Sequence, residues 1–134
     1  MKSFESASLA QVKALAKITA SKLKGGEILG LIGNLGSGKT TFTKYLAKAL
    51  KVKPRVTSPT FVLMNLFKGR LKSGKKITLY HLDLYRTKNF REIKALGLAE
   101  IWGKKDTITV LEWADKIKRH LPKKTIKINL SGKR

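Results

Sequence analysis

The apolar positions of this chain alternate between helical and strand rhythms, and that alternation predicts its elements. Ser8-Leu9-Ala10-Gln11 has the form of a capping box. Leu9, Val12, Leu15 with Ala16, Ile18 and Leu23 follow it at helical spacing, up to the stop Lys24-Gly25-Gly26. The continuous run Ile28-Leu29-Gly30-Leu31-Ile32 reads as a buried strand. Thr41 to Leu50 returns to the helical period, with Phe42, Leu46, Ala49 and Leu50 sharing a face. Residues 61–67 and 76–82 read as two strands, and the polar, glycine-containing stretch 68–75 between them predicts an antiparallel hairpin with a long tip. Asn89 and Glu92 open another helix, which ends near Gly97. The segment 98–103 has no clear period. The β-branched run Thr107 to Leu111 predicts a central strand, Ala114 to His120 a short helix stopped before Pro122, and Thr125 to Leu130 a last strand. No internal repeat or low-complexity linker interrupts this order, so the 134 residues are expected to form one domain over positions 1–134.

One stretch carries chemistry. Gly33-Asn34-Leu35-Gly36-Ser37-Gly38-Lys39-Thr40 fits the phosphate-loop pattern G-x-x-x-x-G-K-[ST] at every specified position. The glycines allow backbone N–H groups to converge on phosphate oxygens. Lys39 would lie against the β- and γ-phosphates, the Thr40 hydroxyl would ligate Mg²⁺, and Thr41 completes the loop. A buried strand before the loop and a helix after it is the context in which a helix N-terminus faces phosphate. The expected fold is therefore an α/β, three-layer phosphate-loop NTPase fold, its central sheet mostly parallel with one antiparallel β-hairpin. The expected ligands are ATP and Mg²⁺.

Two carboxylates stand where such a site needs them. The second hairpin strand runs into His81-Leu82-Asp83-Leu84, where alternation puts His81 and Asp83 on one face. An acidic residue ending an apolar strand commonly serves a phosphate-loop Mg²⁺, which makes Asp83 a metal-site candidate; a helix cap or an ion pair with Arg86 is the alternative. Glu112 and Trp113 follow the run at 107–111. The carboxyl ends of strands in open α/β sheets border the ligand crevice, so Glu112 is the candidate to orient or deprotonate an attacking water, with capping of the next helix as its structural alternative. The hydroxyl-rich turn Val56-Thr57-Ser58-Pro59-Thr60 is either a turn alone or a switch sensing the γ-phosphate through Thr57 and Thr60. His81 and His120 have no metal-ligand spacing and read as structural.

Composition changes this picture in one respect. With 30 Lys and Arg against 8 Asp and Glu, the formal net charge is +22. Lysine drift and a polyanionic partner, nucleic acid first among them, account for it equally well. The chain has no cysteine, which excludes disulfides and thiolate metal sites. It has no apolar run of membrane-spanning length and no secretory signal at Met1–Ser6, so a cytoplasmic protein without a membrane partner is expected.

The motif series GNLGSGKTT, VTSPTF, YHLDLYR, GLAEIW and LEWADKI resembles the TsaE (YjeE) family of bacterial ATPases in tRNA threonylcarbamoyladenosine synthesis. The likeness runs from about Gly25 onward. It departs at Asp115, where that family more often has glutamate, and at Ala114, where proline is frequent. The resemblance implies that Lys39 and Thr40 hold nucleotide and Mg²⁺, that Asp83 belongs to the metal site, and that Glu112 takes part in hydrolysis. It also implies that Trp113 lies near the nucleotide and that Thr57 and Thr60 sit in a switch-like loop. The partners it implies are homologues of TsaB and the catalytic TsaD, with tRNA reached through their complex. ATP would then support repeated turnover without the chain itself modifying tRNA. A rival class is a phosphate-loop small-molecule kinase, but no arginine-bearing lid stands out among the scattered arginines. A nucleic-acid-binding protein with a degenerate site is a third class, and the chain lacks the aromatic–basic platform expected of one.

Overall fold

A computed structural model describes residues 9–33, 39–52, 64–84, 91, 94, 100, 102–112, 114 and 119–130, the side chains of Lys39, Thr40 and Met64 excepted. Among them run α1 (Leu9–Lys22), β1 (Ile28–Ile32), α2 (Lys39–Ala49), β2 (Met64–Arg70), β3 (Lys76–Asp83), β4 (Thr107–Glu112) and β5 (Ile126–Asn129). The strands form one sheet in the order β2-β3-β4-β1-β5. β3, β4, β1 and β5 are parallel to one another, and β2 is antiparallel to β3. The predicted α/β class and its mostly parallel sheet with one hairpin are what is observed. β4 is buried along its whole length, as a strand flanked on both edges and covered on both faces must be.

The helices α1 and α2 pack on one face of the sheet. Phe42, Leu46 and Leu50 of α2 are fully buried there with Leu29, Leu31, Leu79, Ile108, Val110 and Ile128. The opposite face buries Ile28, Leu82, Leu84, Leu111 and Ala114, against which Trp102 and Leu121 pack.

Three expectations need correction. The buried stripe of α1 is Val12, Ala16 and Ala20, continued by Leu23, whereas Leu9 and Ile18 are 64% and 52% exposed. At about 100° per residue, Ile18 lies nearly opposite that stripe, and Leu9 is the helix's first residue. Ala49 of α2 is exposed for a related reason, since it sits on the flank of the arc centred between Phe42 and Thr43. The hairpin tip is short. β2 extends to Arg70, paired with Lys76, and the turn closes through the Leu71 N–H donating to the Lys75 carbonyl at 2.9 Å, with Gly74 at φ +94°. The basic side chains disguised a strand edge as a loop: Lys68 and Arg70 point outward in alternation, and Lys68 Nζ donates to Thr78 Oγ1.

The turn from α1 into β1 uses two glycines with positive φ, Gly25 at +109° and Gly26 at +95°. The Glu27 carboxylate accepts the N–H groups of Lys24 and Gly25, both at 2.8 Å, and the Gly26 N–H donates to the Thr107 carbonyl at 2.7 Å. This turn fixes where β1 enters the sheet beside β4. The face assignment of α1 has a direct check. Ala20→Leu should destabilise by about 1–3 kcal/mol through overpacking, and Ile18→Ser by no more than about 0.5 kcal/mol, both read from urea unfolding. The reverse order would put Ile18, and not Ala20, on the buried face.

Candidate functional site

Parallel pairing sets three strand ends side by side. In the registers of β1 with β4 and of β3 with β4, Leu31 lies opposite Glu112 and Asp83 lies opposite the same Glu112. Gly33 leaves β1 at this edge, and α2 begins with Lys39 and Thr40. The strand and the helix of the phosphate-loop reading are thus present on either side of the connection. Asn34, Leu35, Gly36, Ser37 and Gly38 themselves lie outside the described residues, as do Thr57, Thr60 and Trp113. Thr41 is half-buried in the first turn of α2.

Glu112 is only 3% exposed. A carboxylate taken this far from water needs donors, because its desolvation costs several kcal/mol when unpaired. Two are in place on one oxygen: His81 Nε2 donates to Oε2 at 2.6 Å, and Thr43 Oγ1 donates to the same oxygen at 3.3 Å. His81 comes from β3, one strand over, and Thr43 from the second turn of α2. Glu112 therefore ties the strand that ends at Asp83 to the helix that opens at Lys39. Backbone bonding reinforces the edge, with the Leu84 N–H donating to the Glu112 carbonyl at 3.0 Å.

Asp83 differs in exposure. Its side chain is open to solvent at the end of β3, facing the same way as His81. The two carboxylates thus differ in setting: Asp83 is exposed, while Glu112 is buried and bonded through Oε2. Carboxylate and hydroxyl oxygens are the donors a hard divalent cation such as Mg²⁺ prefers, and Mg²⁺ ordinarily takes only one or two carboxylates besides phosphate and water. Asp83 and the threonine-rich start of α2 fit that demand. Among the described residues no group of three or more His, Cys, Asp or Glu forms a cage for a metal.

Sequence reasoning missed two members of this cluster. His81 was read as structural, although its shared face with Asp83 was visible; what alternation within β3 could not supply was the identity of the neighbouring strand. Thr43 carried a fainter signal, a hydroxyl three and seven residues before the buried Leu46 and Leu50.

Comparison with known proteins bears on this site. The family model described as "Threonylcarbamoyl adenosine biosynthesis protein TsaE" matches residues 6–134. A Bacillus subtilis (strain 168) protein named tRNA threonylcarbamoyladenosine biosynthesis protein TsaE is 38% identical over 118 residues, covering 88% of this chain and 70% of its own. An Aquifex aeolicus protein of the same name is 47% identical over 97 residues, 69% of each chain. The crystal structure of Bacillus subtilis YdiB superposes with a TM-score of 0.65 at 32% identity, over 96% of this chain and 76% of that one.

The cluster predicts a coupling energy. His81→Phe should destabilise the wild-type background by about 1–3 kcal/mol, because it leaves a buried carboxylate oxygen short of its closest donor. In a Glu112→Gln background the same change should cost less by at least about 0.5 kcal/mol. Equal costs in both backgrounds, measured by denaturant unfolding, would mean that the pair is not coupled.

Proposed function

The chain belongs to the TsaE family of threonylcarbamoyladenosine biosynthesis proteins, and on that footing we propose that it is the Mg²⁺-dependent ATPase of the tRNA-modifying machinery. The observation that carries the reading is the shared strand edge, where Glu112 lies between Leu31 and Asp83 at the foot of the helix opening with Lys39-Thr40. ATP is the substrate. Backbone N–H groups of residues 33–40, with the partial positive charge of the α2 N-terminus, would bind its phosphates, and Lys39 would neutralise charge on the β- and γ-phosphates. Mg²⁺, held by Thr40 and Asp83 together with the phosphates, would supply further neutralisation of the charge developing on the transferred phosphoryl group.

The protein's part in hydrolysis falls to Glu112. Its Oε2 accepts from His81 and Thr43, so the carboxylate cannot rotate freely, and a water presented to it meets an acceptor of fixed direction. Thr57 and Thr60 would report the γ-phosphate, and Trp113 would lie against the nucleotide. Partner homologues of TsaB and TsaD carry out the transfer to tRNA, and ATP turnover by this chain supports their repeated cycles in the cytoplasm. Among the described residues no helix is long and apolar enough to cross a membrane.

Three substitutions test the division of roles. Lys39→Ala should abolish ATP turnover and weaken nucleotide binding. Glu112→Gln should keep ATP affinity and slow hydrolysis by about 10²-fold or more. Asp83→Asn should raise the Mg²⁺ concentration needed for activity. ADP release is followed with no acceptor added, so a small-molecule kinase would be revealed by dependence on an acceptor. In a reconstituted reaction with tRNA and both partners, repeated modification should require this chain and ATP; repeated turnover without it would contradict the proposal.

A further inference from the structure

The excess of basic side chains is not used by the nucleotide site, and the sheet gives part of it a place. Because β3, β4, β1 and β5 are parallel, all four begin at the edge opposite Asp83 and Glu112. Lysine pairs stand at three of those beginnings: Lys75 and Lys76 at β3, Lys104 and Lys105 before β4, and Lys123 and Lys124 before β5. All six are exposed. Lys24 stands before β1.

Backbone contacts hold these entries together. The Thr78 N–H donates to the Asp106 carbonyl at 2.9 Å, the Gly26 N–H to Thr107, and the tip of Lys75 lies over Gly25. Four adjacent strands span about 14 Å at the usual inter-strand spacing of about 4.8 Å, a width that faces several phosphates of a nucleic-acid strand. Only Glu27 and Asp106 oppose the lysines within these loops, and the Glu27 carboxylate is already bound by the backbone N–H groups of Lys24 and Gly25. None of the six lysines has an ion-pair partner among the described residues.

We propose that this lysine-rich end of the sheet, on the far side from the nucleotide site, is a docking surface for the phosphate backbone of RNA. The partner's chemistry follows from what the surface offers. Protein interfaces have apolar or aromatic centres and few lysines, whereas nucleic-acid interfaces are polar and strongly positive. The exposed large apolar side chains, Leu9, Ile18 and Leu66, all lie outside these loops. The choice of tRNA as the RNA rests on the function proposed above. The surface itself does not depend on ATP hydrolysis.

The test measures affinity for an unmodified tRNA transcript across a salt series in three full-length proteins. These are wild type, the triple variant Lys75→Gln/Lys105→Gln/Lys124→Gln, and a charge-matched triple variant of the helical face, Lys17→Gln/Lys44→Gln/Lys48→Gln. The first triple variant should bind at least about tenfold more weakly. Its log–log salt slope should be shallower by about 2, the loss expected for three phosphate contacts at about 0.7 each for single-stranded backbone. The helical-face variant should lose much less. Equal losses in the two triple variants would show that overall charge, not this edge, binds the RNA, and would overturn the proposal. So would failure of the wild type to bind tRNA, or poly-glutamate binding through the same three lysines more tightly than tRNA does. Lys39→Ala read in the same assay should keep its tRNA affinity. A loss of ATP turnover there bears on the nucleotide site alone.

Discussion

Parallel pairing of β1 with β4, and of β4 with β3, is the constraint on which the rest of this structure depends. It fixes a register in which Leu31, Glu112 and Asp83 reach one edge of the sheet together. A parallel sheet has its strand ends at a common edge, and the helix that follows β1 must return across the sheet face. The first turn of α2 is therefore carried toward two carboxylates that lie about 70 and 40 residues away in sequence. The antiparallel partner β2 is a peripheral addition, covering the outer edge of β3 without altering this convergence.

Burial then turns convergence into orientation. Glu112 is almost wholly removed from solvent, and its charge is tolerated because His81 and Thr43 donate to it from β3 and α2. The same two bonds lock a strand and a helix to the end of β4. Packing below the site serves the same end. Phe42, Leu46 and Leu50 anchor α2 to the sheet, and the alanines of α1 let that helix lie closely beside α2. Lys13 of α1 stands 5.3 Å from the ring centre of Tyr45 on α2, an aromatic contact that leaves the charge facing solvent. At the opposite edge, the strand beginnings carry the lysines, so the sheet separates two electrostatic environments along its strands.

Much of this was legible in the residues. The phosphate-loop pattern stands between an apolar run and a helical period, and both flanking elements form as that pattern requires. That Asp83 and Glu112 end their strands was readable from the residues alone, because strand ends need no knowledge of neighbours. The links between them were not legible, since which strands pair is decided by long-range packing and not by local period. His81 illustrates this: its face was readable, its partner was not. Val12, Ala16 and Leu23 of the expected α1 face are buried, and Ala20 escaped that pattern because alanines contribute little to it and yet permit close helix approach. Leu9 and Ile18, more apolar by residue type, drew the stripe toward solvent. The hairpin tip was overestimated because Lys68 and Arg70 occupy an outward-facing strand row, where charge is at home.

The most direct test of this account is a crystal structure of the chain with Mg²⁺ and a non-hydrolysable ATP analogue. The account predicts the triphosphate at the N-terminus of α2, above the ends of β1, β3 and β4, with Lys39 on the terminal phosphates, Asp83 facing the metal and Glu112 still accepting from His81. Nucleotide bound at any other edge of the sheet, or a Glu112 carboxylate turned away from the terminal phosphate with His81 released, would contradict it.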